Sequence, residues 1–230
     1  MISSLAYRSS LAGYDARDSV RAIALYMAFV LLLIVQGRLY TTTLPLSIIV
    51  SLNVVMPLLA LGLMLGCLAV KGERWASIGV TWKNFGWSCA CGVILAVVLV
   101  VGVAVYELIV ERRVAGIGAL KSTTIAVCLL GAANEELEFR GYIETRLSGV
   151  IGHAWVCSLI TAILFLLIHY PIYWGVSSVL SFSGLTMVRG ICILILHFLC
   201  DGVYRSTNCI WGAVTLHWLY NLGSGLLAVQ

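Results

Sequence analysis

Apolar runs long enough to cross a bilayer recur along this chain, near residues 19–37, 45–70, 87–110, 122–148, 152–170, 190–205 and 208–228. About 20 apolar residues cover the roughly 30 Å of hydrocarbon as a helix, and a backbone in lipid must satisfy its own hydrogen bonds. The runs therefore predict helices, because the alternating pattern of a transmembrane barrel is absent. Composition agrees: 61% of the 230 residues are hydrophobic and 10% charged, against about 25% charged in soluble domains. The expectation is an all-α, polytopic integral membrane protein of about seven transmembrane helices. It is read as one membrane domain over 1–230, multi-pass in the cell membrane, with lipid around it and no nucleic-acid partner.

The first run follows Arg8, Asp15, Arg17, Asp18 and Arg21 and shows no obvious small-residue cleavage site, so it reads as a retained span. The stretch 71–86, with Lys71, Glu73, Arg74, Trp75, Trp82 and Lys83, reads as interfacial. Segment 171–189 is uncharged until Arg189 and rich in Ser and Gly; it fits an interfacial segment, a re-entrant one or an eighth span. With the amino terminus inside, the inner segments carry nine basic residues: Arg8, Arg17, Arg21, Lys71, Arg74, Lys83, Arg140, Arg146 and Arg205. The outer ones carry five, Arg38, Arg112, Arg113, Lys121 and Arg189, which favours that orientation. The eight cysteines lack metal-type paired spacing and read as small buried hydrophobes.

Ionisable side chains inside apolar helices cost at least a few kcal/mol at the bilayer centre and mark function. Here they cluster in the C-terminal half, in Asn134-Glu135-Glu136-Leu137-Glu138-Phe139-Arg140 and at His169, His197, Asp201, His217 and Asn221. At about 1.5 Å per residue from the turn near residue 150, Glu135 and His169 lie roughly 22 and 28 Å deep on antiparallel neighbours. From the turn at 205–208, His217 and Asn221 lie about 15 and 21 Å deep. Four side chains from three helices can thus meet. Glu136 and Arg140 are i and i+4, while Glu135 is rotated about 100° from Glu136, so Arg140 can hold one carboxylate while the other faces a cavity. His217 and Asn221 also share a face. A carboxylate near an imidazole, with imidazole and amide donors opposite, can activate water and stabilise a tetrahedral oxyanion in peptide hydrolysis.

These residues resemble three motifs of the CPBP family, membrane proteases that include the CAAX-processing endopeptidases and the bacterial Abi proteins linked to bacteriocin processing and self-immunity. Its E-E-x-x-x-R is similar to Glu135-Glu136-Leu137-Glu138-Phe139-Arg140, its F-x-x-x-H to Phe165-Leu166-Leu167-Ile168-His169, and its H-x-x-x-N to His217-Trp218-Leu219-Tyr220-Asn221. The resemblance covers about 120–225. It implies a CPBP-like catalytic core over 121–230, preceded by N-terminal spans over 1–120. It further implies Glu135 as the base, His169 assisting, His217 and Asn221 as the oxyanion site, and a peptide or membrane-protein substrate. Candidate substrates are a prenylated C-terminal CAAX peptide, a leader peptide, a pheromone precursor or a sorting tail. Members were long described as metalloproteases, and a metal-free glutamate mechanism is now favoured, so no cofactor is expected.

Other readings stand beside this one. A zinc ion on Glu135, His169 and His217 is chemically reasonable, although the H-E-x-x-H arrangement is absent and Arg140 would compete with a cation. His197-Phe198-Leu199-Cys200-Asp201 rivals the third motif, with His197 read as a packing residue or a support to the site. Glu138 reads as a rim or solvated residue, His153 as packing, and Tyr142, Tyr170, Tyr173, Trp211 and Trp218 as interface or packing aromatics. The alternatives of another class are a contact-only immunity or scaffold factor and a proton-coupled transporter, for which no convincing internal repeat is present.

Overall fold

A computed structural model of the chain describes residues 3–110 and 121–227. Every regular element among them is helical. A short α1 (Leu5–Ser10) leads into α2 (Ala16–Tyr40), whose start is fixed by a capping box between Asp15 and Asp18. α3 (Leu46–Lys71) ends at Gly72, which adopts φ +67°, and a 3-10 turn (Trp75–Ile78) leads to α4 (Phe85–Ile109). α5 (Ser122–Glu136) runs directly into a π-helical turn (Leu137–Glu144) and then α6 (Thr145–Leu147). α7 (Ala154–Leu167), α8 (Pro171–Ser177), α9 (Met187–Thr207) and α10 (Trp211–Leu227) complete the chain.

Among the described residues five helical stretches are long and apolar enough to cross a membrane: α2, α3, α4, α7 continued through α8, and α9. Their outward faces carry large apolar side chains, among them Val55, Leu59, Leu63, Val97, Val98 and Leu159, each at least 45% exposed except Leu63 at 44%. Such a surface is unstable in water and suits lipid tails. This is a membrane protein. α8 is seven residues long, about 10 Å at helical rise, so segment 171–189 supplies no span by itself.

Two interfaces set the backbone spacing. α10 packs along α4, and α8 along α2. At the first, a Cβ on Gly92 would lie 2.3 Å from the Gly212 carbonyl, and one on Gly212 would lie 2.3 Å from the Ser88 carbonyl. At the second, a Cβ on Gly37 would lie 2.1 Å from the Ile172 carbonyl. Between helices in lipid the attraction comes from close packing, and these glycines permit it. α10 also touches α5 and α9, so the helix carrying His217 stands against the one carrying Glu135 and Glu136.

The expected charge asymmetry changes with the structure. Arg140, Arg146 and Arg205 are at most 1% exposed, so they are not loop charges and leave six of the nine inner residues. Arg112 and Arg113 lie outside the described residues. Counted over the sequence, six inner basic residues then stand against five outer ones.

Candidate active site

The π turn builds the site. Its eight residues are all buried, enclosed by α2, α3, α7, α9 and the 3-10 turn. Such wide turns often occur at functional sites because they re-aim side chains within a continuing helix. Glu136, the last residue of α5, is fully buried, and its Oε1 accepts from Arg140 Nη1 at 3.0 Å and from His217 Nδ1 at 2.7 Å. Glu135 points away from that pair, with its side chain 35% exposed and its Oε2 3.9 Å from His217 Nε2. That Oε2 has no hydrogen-bond partner among the described residues.

His169 lies two residues past the end of α7. Its Nδ1 is 2.8 Å from the Phe165 carbonyl, one of the last-turn oxygens a helix end leaves without a partner. Donating there commits Nδ1 and leaves Nε2 for the cavity. Phe165 itself is fully buried and sits at the centre of the cluster. The Arg140 guanidinium lies over its ring at 4.2 Å, and its edge contacts His169 and His217 at centroid distances of 5.3 and 6.0 Å.

Two cavities meet here. One of about 340 Å³ lies between α2, α3, α5 and α8, walled by Phe29, Leu32, Leu33, Met56 and Phe139. The other, about 850 Å³, lies between α4, α5, α9 and α10 and includes His217, Asn221, Tyr220 and Glu107. Glu135, His169 and Arg189 line both. The structure thus brings Glu135, Glu136, Arg140, His169 and His217 together, with Asn221 one turn along α10 on the wall of the larger cavity.

One reading is corrected. Glu138 is not a rim residue: it is 3% exposed and lines the smaller cavity. The π turn has no solvent-facing side, so a residue three positions from Glu135 is enclosed as well. The rival pair stands elsewhere. His197 and Asp201 line neither cavity; they belong to a buried cluster in which Arg205 bonds both Asp201 and Glu144, and Ser158 donates to Asp201 at 2.6 Å. Phe165 opens the F-x-x-x-H motif but is not read from the sequence as a site residue, and neither is Arg189. Spacing offered a signal for the first, four residues before His169, and Arg189 is the first charge after residue 153.

A shared zinc ion holds its N and O donors at about 2.0–2.2 Å, hence within about 4.4 Å of one another. Among the described residues Glu144, His197 and Asp201 bring donor atoms within 4.8 Å of one another, whereas Glu135, His169 and His217 do not form such a group. In the buried cluster Arg205 already pairs with both carboxylates. The three residues at the cavities do not fit a common zinc ion in this arrangement.

Residues 118–223 match the family profile described as Type II CAAX prenyl endopeptidase Rce1-like. All of the residues from Glu135 to Asn221 fall inside the matched segment. No curated protein and no solved structure matches the chain.

Proposed function

We propose that the chain, whose residues 118–223 match the profile described as Type II CAAX prenyl endopeptidase Rce1-like, is a membrane protease that hydrolyses a peptide bond in an isoprenylated, membrane-associated substrate. The observation that carries this is the position of Glu135 and His169 on the common wall of two cavities, beside a His217 held from behind by Glu136. In our reading seven helices span, the five long apolar ones together with Ser122–Leu147 and α10.

Glu135 acts as general base. The 3.9 Å between its Oε2 and His217 Nε2 is too long for a direct hydrogen bond and suits one water touching both. Glu135 takes a proton from that water as the oxygen attacks the scissile carbonyl. His169, with Nδ1 tied to Phe165, assists through Nε2, and the proton passes to the leaving amine as the C–N bond breaks. With Nδ1 held by Glu136, His217 reaches the substrate only with Nε2; carrying its second proton, it donates to the developing oxyanion beside the Asn221 amide. Arg140 compensates the charge of Glu136 and fixes its carboxylate. The smaller cavity, apolar over most of its wall, suits the hydrocarbon of an isoprenoid.

The test is cleavage of isoprenylated peptides by the purified full chain in detergent, wild type against Glu135→Gln and His169→Ala. Cleavage abolished in both variants supports the reading. Wild-type protein that cleaves nothing across a broad membrane-peptide library overturns it and favours a contact-only or transport role.

A further inference from the structure

Glu138 is a buried carboxyl to which the bond-breaking step assigns no task. It is 3% exposed and lines the smaller cavity together with Asn134 and Glu135, one turn back along the same helix. The other buried acids of the C-terminal half each have an arginine: Glu136 pairs with Arg140, and Glu144 and Asp201 pair with Arg205. Among the described residues no cation pairs with Glu138. Its Oε1 has no hydrogen-bond partner there, and neither has Oδ1 of Asn134, which is 7% exposed. A buried acceptor without a donor is costly to keep. Asn134 can turn its amide to offer either atom, so the constant acceptor is Glu138.

The entering substrate brings a donor. With the isoprenoid in the smaller cavity and the scissile carbonyl at Glu135, the residue that carries the isoprenoid lies beside the bond that is cut. Its backbone N–H leaves water as the lipid enters, and in a membrane-enclosed site it needs an acceptor as much as Glu138 needs a donor. Side chains three positions apart on a helix have Cβ atoms about 5–6 Å apart, and the N and carbonyl C of one residue lie about 2.5 Å apart. A carboxyl at 138 and a water held by Glu135 can therefore reach the two ends of a single residue. From this arrangement we infer that Glu138 accepts the backbone N–H of the isoprenylated residue and so fixes which carbonyl stands before Glu135. The inference rests on the endopeptidase reading above. A carboxyl oxygen accepts whether or not the group carries a proton. A peptide slipped by one residue would present its next N–H on the opposite side of the extended chain, leaving donor and acceptor unpaired. Glu138 is thus a positioning residue.

The experiment compares three matched isoprenylated peptides: the all-amide peptide, one in which the N–H of the isoprenylated residue is replaced by an ester oxygen, and a control with the same replacement two residues earlier. They are cleaved by the full chain in nanodiscs of neutral lipid. Wild type is expected to lose about tenfold or more in kcat/KM on the first replacement and less than about twofold on the control. Glu138→Leu removes the acceptor and an unpaired buried polar group, so it should fold and should cleave amide and ester peptides within about twofold of each other. Glu138→Gln, whose amide oxygen still accepts, should retain most of the wild-type penalty. A wild-type penalty equal at both positions, or one that Glu138→Leu keeps, overturns the inference and leaves the endopeptidase reading intact. A Glu138→Gln protein that shows no penalty overturns it as well, since charge rather than acceptance would then be what matters. If Glu138→Leu does not fold, the wild-type comparison and the Gln variant decide by the same criteria. Cleavage of none of the peptides by wild type overturns the endopeptidase reading and the inference with it.

Discussion

His217 Nδ1 lies 2.7 Å from Glu136 Oε1, a contact across 81 positions of sequence that joins α10 to the end of α5. The same oxygen accepts from Arg140, so one buried carboxylate holds an imidazole and a guanidinium at once. The second glutamate of the pair thereby acquires a role distinct from that of the first. Glu136 orients, and Glu135 faces the cavities.

Glu136→Gln should accordingly lower kcat by about 10²–10⁴, because the neutral amide no longer supplies the negative charge between Arg140 and His217 and can turn its NH2 to Nδ1, holding the ring in the other tautomer. Glu136→Ala should also unfold more readily, since Arg140 would be left as an uncompensated buried charge, a change worth about 3–5 kcal/mol. Peptide kinetics together with thermal unfolding in detergent separate the two effects. A Gln variant with wild-type kcat would exclude the orienting role.

Glu135→Gln should show the opposite balance. Its side chain is 35% exposed and its Oε2 has no hydrogen-bond partner among the described residues, so little of the packing depends on its charge. Turnover should fall at least about 10²-fold while the unfolding temperature stays within a few degrees of wild type. Parallel activity and unfolding curves measure this directly.

The spans were legible because lipid leaves a chain few choices, and α2, α3, α4 and α9 begin and end within about three residues of the apolar runs. Part of the site was legible for a related reason: charged residues in apolar helices have few places to go. What escaped the sequence depends on enclosure. Nothing in Leu137-Glu138-Phe139-Arg140 announces a π turn, and Glu138 turns inward because helices cover the turn on every side. Arg146 and Arg205 look like loop charges in sequence, yet each is 1% exposed and paired with acids that lie far along the chain, Glu73 and Glu144.

Strong chelators should leave peptide cleavage unchanged. Glu135, His169 and His217 do not gather their donor atoms closely enough for one zinc ion, and the Nδ1 atoms of both rings are engaged by Phe165 and Glu136. Activity measured after incubation with chelator, alongside the metal content of the purified protein, checks this. Loss of cleavage restored by zinc would establish a metal mechanism instead.

Phe165→Ala should damage the site without touching a reacting group. The ring lies under the Arg140 guanidinium at 4.2 Å and against both histidines. Its removal leaves a buried void, which costs about 3–5 kcal/mol. Phe165→Leu fills much of the space yet loses the aromatic face, so it should recover most of the stability and less of the activity. Comparing the two variants in unfolding and kinetic assays separates filling from alignment.

His197 and His169 make the sharpest contrast. His197 is fully buried, with its ring 5.7 Å from that of Phe165 and its Nε2 3.5 Å from Thr161, and it lines neither cavity. His169 lines both. His169→Ala should therefore abolish cleavage in protein that still folds. His197→Ala should destabilise by about 2–4 kcal/mol through the void it leaves, while the folded fraction keeps a turnover within about tenfold of wild type. Active-site titration against the folded fraction supplies that comparison. A fully folded His197→Ala protein with no turnover would move the catalytic assignment to the cluster of Glu144, His197 and Asp201.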